Sequence, residues 1–133
     1  MQLNPYMLFN GDCAEAFKFY EETLGGKIVG LFKYSETPGA EHAPPDWGDK
    51  VMHATITIGD QKLMGSDPPP GRYEAPKGMS VSISLDDRDK GERIFNALAE
   101  GGTTLMPFQQ TFWAKGFGMC TDRFGIPWMV NCE

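Results

Sequence analysis

Residues 12–26 read DCAEAFKFYEETLGG, and residues 88–102, one repeat later, read RDKGERIFNALAEGG. In the first stretch Cys13, Ala16, Phe17, Tyr20 and Leu24 recur at helical spacing and make one apolar face. Asp12 with Glu15 three residues on is the capping-box pattern. Gly25 and Gly26 stop the helix, because glycine accepts the left-handed conformation past a helix end. In the second stretch Asp86 or Asp87 is the cap, Ile94, Phe95 and Leu98 turn to the core, and Gly101 and Gly102 end the helix. A shift of 76 residues lays Phe19 on Phe95, Gly25 on Gly101, Gly26 on Gly102 and Phe32 on Phe108. It predicts the same job for each pair: helix core face, helix stop, strand core.

The same order of strands surrounds both helices. Leu3–Asn10 and Lys27–Tyr34 flank the first, followed by Val51–Ile58 and Gln61–Ser66, which Gly59-Asp60 joins as a two-residue hairpin turn. Ser80–Leu85, Thr103–Gln109, Phe117–Thr121 and Ile126–Asn131 repeat the series. Pro68, Pro69, Pro70 and Gly71 break the chain between the halves. An order of elements that restarts is the mark of an internal repeat. The predicted fold is α+β: two tandem βαβββ modules, about 1–67 and about 76–133, in a single domain. Each buries one sheet face on its helix, giving a cup-shaped, half-open mixed sheet with helices outside and a concave face for a ligand. Ser35–Lys50, with Pro38, Gly39, Pro44, Pro45 and Gly48, reads either as a binding loop or as a plain surface excursion.

At 133 residues with 41% hydrophobic content, the chain can bury a core and does not read as disordered. A formal charge of −6, with lysines and arginines scattered singly, argues against nucleic-acid binding. No stretch approaches the roughly 20 apolar residues of a membrane helix. Met1–Phe9 lacks the basic start and apolar run of a secretory signal, so a cytoplasmic protein is expected. Cys13, Cys120 and Cys132 are an odd set that does not read as a disulfide framework, although a Cys120–Cys132 bridge stays open if their strands align. None stands near an activating His or Lys pattern, which speaks against a nucleophilic thiol.

His53 is the candidate for chemistry. Alternation places Val51, His53, Thr55 and Thr57 on one strand face and Met52, Ala54, Ile56 and Ile58 on the other. A histidine on an inner face is either a general base or substrate ligand near neutral pH, or a side chain hydrogen-bonded to the next strand. His42, beside Glu41, lacks further ligands nearby and reads as a solvated loop residue. Asp67 either contacts a ligand or fixes the turn before three prolines. Asp122 shapes the hairpin before Phe124-Gly125. The candidate ligand-binding residues are Tyr6, Met64, Ser66, Trp113, Phe117 and Trp128, since aromatics and methionines suit an adaptable apolar pocket, with core packing as the competing reading.

Several of these motifs resemble a known family. Asp12–Gly26, with Phe19-Tyr20 and Leu24-Gly25, looks like the first helix of the vicinal oxygen chelate superfamily, which includes glyoxalase I, bleomycin-resistance proteins and extradiol dioxygenases. His53-Ala54, Ser66-Asp67, Phe112-Trp113-Ala114, Phe117-Gly118 and the run from Asp122 to Met129 resemble its PhnB-like branch. The resemblance implies paired βαβββ units and usually a homodimer. It also implies metal ligands, typically His and Glu, on the first, fourth, fifth and eighth strands. Those positions fall near Pro5, Met64, Ser80 and Met129, and a one-residue slip brings in Tyr6, Gly65, Met79 or Val130. None offers the imidazole or carboxylate that a divalent ion wants there. Some of the branch carry a 3-demethylubiquinone methyltransferase label, but no glycine-rich nucleotide loop stands in this sequence to support it. The expectation is a small-molecule-binding protein with no metal site and no cofactor. The alternatives are an enzyme of lyase, isomerase or dioxygenase type, using His53 with Tyr6 or Ser66 or a metal at unusual positions, and an interaction module acting through the loop at residues 35–50.

Overall fold

The computed structural model describes residues 1–38, 41 and 43–133. His42, read above as a solvated loop histidine, lies outside the described residues. The chain divides into two units, Met1–Ala75 and Pro76–Glu133. The first runs β1 (Tyr6–Leu8), α1 (Cys13–Leu24), β2 (Lys27–Lys33), β3 (Val51–Ile58), β4 (Gln61–Ser66). The second runs β5 (Val81–Leu85), α2 (Arg88–Ala99), β6 (Thr103–Gln109), β7 (Gly116–Thr121), β8 (Pro127–Cys132). The fold is α+β, built from two open mixed sheets ordered β1-β4-β3-β2 and β5-β8-β7-β6. In each, the first strand pairs parallel and the rest antiparallel. β1 is shorter than the predicted Leu3–Asn10.

The helix stripes supply each core. Cys13, Ala16, Phe17 and Tyr20 of α1 are all fully buried, with Met7, Ala54, Ile56 and Leu63 buried on the sheet beneath. Phe9 meets Phe17 edge-on, 5.9 Å between ring centroids. Gly65 lets those rings reach the sheet, since a Cβ there would stand 3.0 Å from both and 2.8 Å from the Met7 carbonyl. In the second unit Ile94, Phe95 and Leu98 of α2 cover Trp128, Val130 and Cys132. A Cβ at Gly118 would meet the Phe95 ring at 2.6 Å, and one at Gly91 would enter the Cys132 sulfur.

The capping-box reading of α1 is corrected. Asp12 occupies the N-cap position, but its side chain makes no capping bond. The carboxylate of Asp67, the residue just past β4, takes the role. Asp67 Oδ1 accepts from the backbone N–H of Gly11 (2.9 Å) and Cys13 (3.0 Å), and Oδ2 accepts from Val51 N–H (3.0 Å). Burial, with the charge of Asp67 beside it, holds the Asp12 carboxyl above the usual range. The second helix behaves as expected: Asp87 is the cap and accepts from Lys90 N–H at 3.1 Å.

The repeat holds at the helix stops and fails at two other pairs. Gly25 and Gly101 both take positive φ, 71° and 78°. β2 has a register shift between Ile28 and Gly30, and β6 has one between Thr104 and Met106, 76 residues on. The residues extruded there, Val29 and Leu105, are 56% and 58% exposed. Phe19, however, is only half-buried, and the partner of buried Phe95 on the first helix is buried Phe17. Phe32 and Phe108 face opposite ways. Phe32 pairs His53, whereas Phe108 packs on Phe95 with centroids 5.7 Å apart. The second register irregularity falls on β3 in the first unit (Val51 to His53 against Lys33 to Phe32) and on β6 in the second (Met106 to Gln109 against Met119 to Phe117). One extra residue on one strand turns the side chains beyond it to the other face.

The loop at residues 35–50 is tied at its neck. It carries 3-10 turns at Tyr34–Glu36 and Pro45–Trp47. Tyr34 N–H donates to Lys50 O, and Ser35 N–H to Gly48 O, each at 3.0 Å. Tyr34 Oη donates to the Asp67 carbonyl at 2.8 Å, so the loop base and the α1 terminus share one residue. No described helix is long and apolar enough to cross a membrane.

Candidate functional site

In the first unit, the sheet face turned away from α1 carries Tyr6 on β1, Met64 and Lys62 on β4, His53, Thr55 and Thr57 on β3, and Lys27, Gly30 and Phe32 on β2. Alternation fixes this, because Met7, Ala54, Ile56 and Leu63 between them are buried against the helix. Tyr6 pairs Met64 and Met64 pairs Thr55, so three strands meet at one row. Tyr6 is 48% and Phe32 49% exposed.

Three of these side chains form a hydrogen-bonded line. The Tyr6 hydroxyl lies 3.1 Å from His53 Nδ1, and His53 Nε2 lies 3.2 Å from Thr55 Oγ1. The Tyr6 and His53 rings are 5.6 Å apart and tilted by 33°. A hydroxyl both donates and accepts, so the imidazole is satisfied in either neutral tautomer and as the cation. His53 is thus bonded to Tyr6 of β1 and to Thr55 of its own strand, and it stands on the sheet face turned away from α1. Phe32 and Thr55 share this face and were not among the expected ligand-binding residues. Strand alternation already put Thr55 beside His53, but the side of Phe32 depends on the bulge.

The other candidates are placed as follows. Ser66 ends β4, is buried, and accepts from Phe9 N–H through its carbonyl at 2.9 Å. Phe117 is buried and Trp113 is 48% exposed. Their rings meet edge-on at 5.3 Å, and Phe112, 97% exposed, also meets Trp113 edge-on at 4.8 Å. Thr111 holds that turn by accepting from Ala114 N–H at 3.1 Å. Trp128 is 1% exposed on the α2 side of its sheet, and its indole N–H donates to Asp122 Oδ2 at 2.8 Å. That makes it a core residue, not a wall of an accessible cavity. Asp122 Oδ1 also accepts from Phe124 and Ile126 N–H, as a hairpin-shaping role requires.

The family's metal positions can be set against the register. Pro5 and Ser80 precede their strands, and Met64 and Met129 on β4 and β8 pair with Tyr6 and Ser82. A phenol, a hydroxyl and two thioethers do not fit a hard or borderline divalent ion. Among the described residues no three of His, Cys, Asp and Glu gather around a common point. The residues present do not fit the group.

The three cysteines are free and buried. Cys120 pairs Trp128 and Cys132 pairs Gly116, so the two are not cross-strand neighbours. Burial pushes the Cys120 thiol up to about 11, raises Cys132, and raises Cys13 further with the charges of Asp67 and Asp12 adding to it. A thiol-specific dye at pH 8 is expected to label none of them in native protein and all three in denaturant.

A model of the Glyoxalase/Bleomycin resistance protein/Dioxygenase superfamily matches residues 2–130. Protein YjdN of Escherichia coli (strain K12) is 36% identical over 141 residues, covering 98% of this chain and 95% of its own. The crystal structure of protein PA1353 from Pseudomonas aeruginosa is 49% identical, covers 100% of this chain and 98% of its own, and superposes with a TM-score of 0.92. The PhnB protein from Bacillus cereus, which bears a 3-demethylubiquinone-9 3-methyltransferase name, shares the fold at 24% identity, full coverage of both chains and a TM-score of 0.84. On a βαβββ repeat and a match that runs nearly end to end, the chain belongs to the Glyoxalase/Bleomycin resistance protein/Dioxygenase superfamily.

Proposed function

We propose that this protein binds a small, partly aromatic molecule on the open face of its first sheet and does so without the superfamily's metal. The observation that supports it is the Tyr6–His53–Thr55 line beside Phe32 and Met64. Two hydroxyls and an imidazole give a ligand directional partners, and a ring and a thioether give it an adaptable apolar floor. Trp113, exposed and packed edge-on against the buried Phe117 ring, offers a second aromatic surface in the other unit. Ser66 and Trp128 leave the ligand set, being buried and engaged in the fold. The protein is proposed to work as a homodimer in the cytoplasm, a fully exposed Phe112 being easier to account for under a partner.

Equilibrium dialysis against a panel of aromatic metabolites and drugs tests the reading. Micromolar binding is expected, with His53→Ala weakening it by about tenfold, the worth of one or two lost hydrogen bonds to a polar ligand. Absence of any binder, or stoichiometric Zn, Ni, Mn or Fe in protein purified without chelator, would defeat it. A second reading, acid–base turnover through His53, is favoured by the two hydroxyls on its ring nitrogens. It requires loss of product formation in His53→Ala with binding retained through the aromatic floor.

A further inference from the structure

The charges of the first unit are segregated by element. β1, β2, β3 and β4 carry Lys27, Lys33 and Lys62 and no aspartate or glutamate, although the chain has 18 acidic residues. The acids of this unit sit at the N-cap of α1 and along it, in the loop at residues 35–50, at the Gly59-Asp60 turn, and beyond β4. Two of the three lysines share a row of the open face. Lys27 pairs Thr57 across β2 and β3, and Thr57 pairs Lys62 across β3 and β4. Two strand spacings put their Cα atoms roughly 10 Å apart, within reach of one small group held by both side chains. Lys62 is half-buried, and neither lysine has an ion pair among the described residues.

Two lysines either side of Thr57, on strands that carry no carboxylate, lower the cost of bringing in a negative group; the Thr57 hydroxyl itself donates to the Lys27 carbonyl at 3.5 Å. Along β3 the row continues to Thr55 and then His53, two steps of roughly 7 Å each. The floor between is Gly30, Thr55 and Met64, and the Phe32 ring edge would stand 3.4 Å from a Cβ at Gly30. The face thus has a cationic end, an apolar middle and a hydrogen-bonding end.

We propose that this face takes a small organic oxyanion, a carboxylate or phosphonate. Its head lies between Lys27 and Lys62 over Thr57, and its body runs across Met64 and Phe32 toward the Tyr6–His53 pair. The proposal rests on the reading above, that the open face of the first sheet is the ligand face, and adds the charge and direction of the ligand.

The test uses matched probes on the full chain by NMR titration: phenylacetate and phenylphosphonate as anions, phenylacetamide as the neutral counterpart. Both anions are expected to bind more tightly than the amide and to weaken with added salt. Lys27→Gln with Lys62→Gln is expected to weaken the anions by about five- to tenfold, the product of two solvent-exposed charge contacts, and to leave the amide unchanged. Resonances of Thr57 and Lys62 should move with the anions. Both lysines are exposed enough that the double variant folds, and a spectrum matching the wild type checks this. Equal binding of amide and anions, or no effect of the double variant, would overturn the anion proposal and leave the binding face standing. No shift on this face with any probe would overturn both.

Discussion

Asp67→Ala is expected to cost about 3–5 kcal/mol, the loss that follows when a buried ionic partner of several groups is removed. Asp67 is 1% exposed, and its carboxylate accepts from three backbone N–H groups on two separate segments. Gly11 and Cys13 lie at the N-terminus of α1, where the first N–H groups have no partner in the helix and the dipole favours a negative charge. Val51 opens β3, and its own carbonyl accepts from Asp67 N–H at 2.8 Å. Alanine would leave three donors buried and unmatched, at about 1–3 kcal/mol each before water or relaxation offsets part of it. Asp67→Asn keeps the shape but turns an NH₂ toward one of the donors, so about 2–3 kcal/mol is expected from one lost bond and the lost charge. Urea midpoints measure both. Asp60→Asn in the exposed hairpin turn should stay within about 0.5 kcal/mol and serves as the surface control. A wild-type midpoint for Asp67→Ala would refute the role.

Gly102→Ala should be the most damaging single methyl addition, at about 3 kcal/mol or more by overpacking. A Cβ there would enter the Thr121 carbonyl oxygen and stand 2.8 Å from the Asp122 carbonyl carbon. These are backbone atoms of a hairpin whose next residue, Asp122, is fixed by bonds to Phe124, Ile126 and Trp128, so nothing nearby swings aside. Gly26, one repeat earlier, has the same contact in milder form, 2.8 Å to the Thr57 carbonyl oxygen. Gly25→Ala is the contrast. Its φ of 71° is strained for alanine but a Cβ would meet nothing within 4 Å, so about 1 kcal/mol is expected, the usual cost of a left-handed non-glycine residue. Thermal melting of Gly102→Ala, Gly26→Ala and Gly25→Ala orders them. If Gly25→Ala proves the worst, the paired glycines act through backbone conformation alone and the close-approach account is wrong.

Both predictions concern residues whose type was legible and whose work was not. The pair Gly101-Gly102 reads plainly as a helix stop, yet only the first glycine of each pair is there for its φ. The second is there because the chain turns straight into a strand pressed against the helix end. Asp12 reads as the cap of α1 because local pattern sees only neighbours. The cap comes from Asp67, 55 positions away, which sequence spacing has no means of bringing to it. Trp128 reads equally as a pocket wall or as core, because residue type does not say which sheet face a side chain occupies. Its pairing with Cys120 and Val81 puts it under α2.

Helical spacing, glycine stops, hairpin turn and a repeated order of elements were all local signals, and they determined the fold class, the two βαβββ units and most element boundaries. Local chemistry also put His53 and Thr55 on one side of β3, since strand alternation needs no partner. Tertiary structure decided the rest. It brought Tyr6 to His53 across 47 positions, set Phe32 beside them, and placed Lys27 and Lys62 either side of Thr57 although the sequence shows them as isolated charges. The physical reason is register: one bulged residue turns a strand's side chains to the opposite face, and no pattern within a single strand records where its neighbour slips.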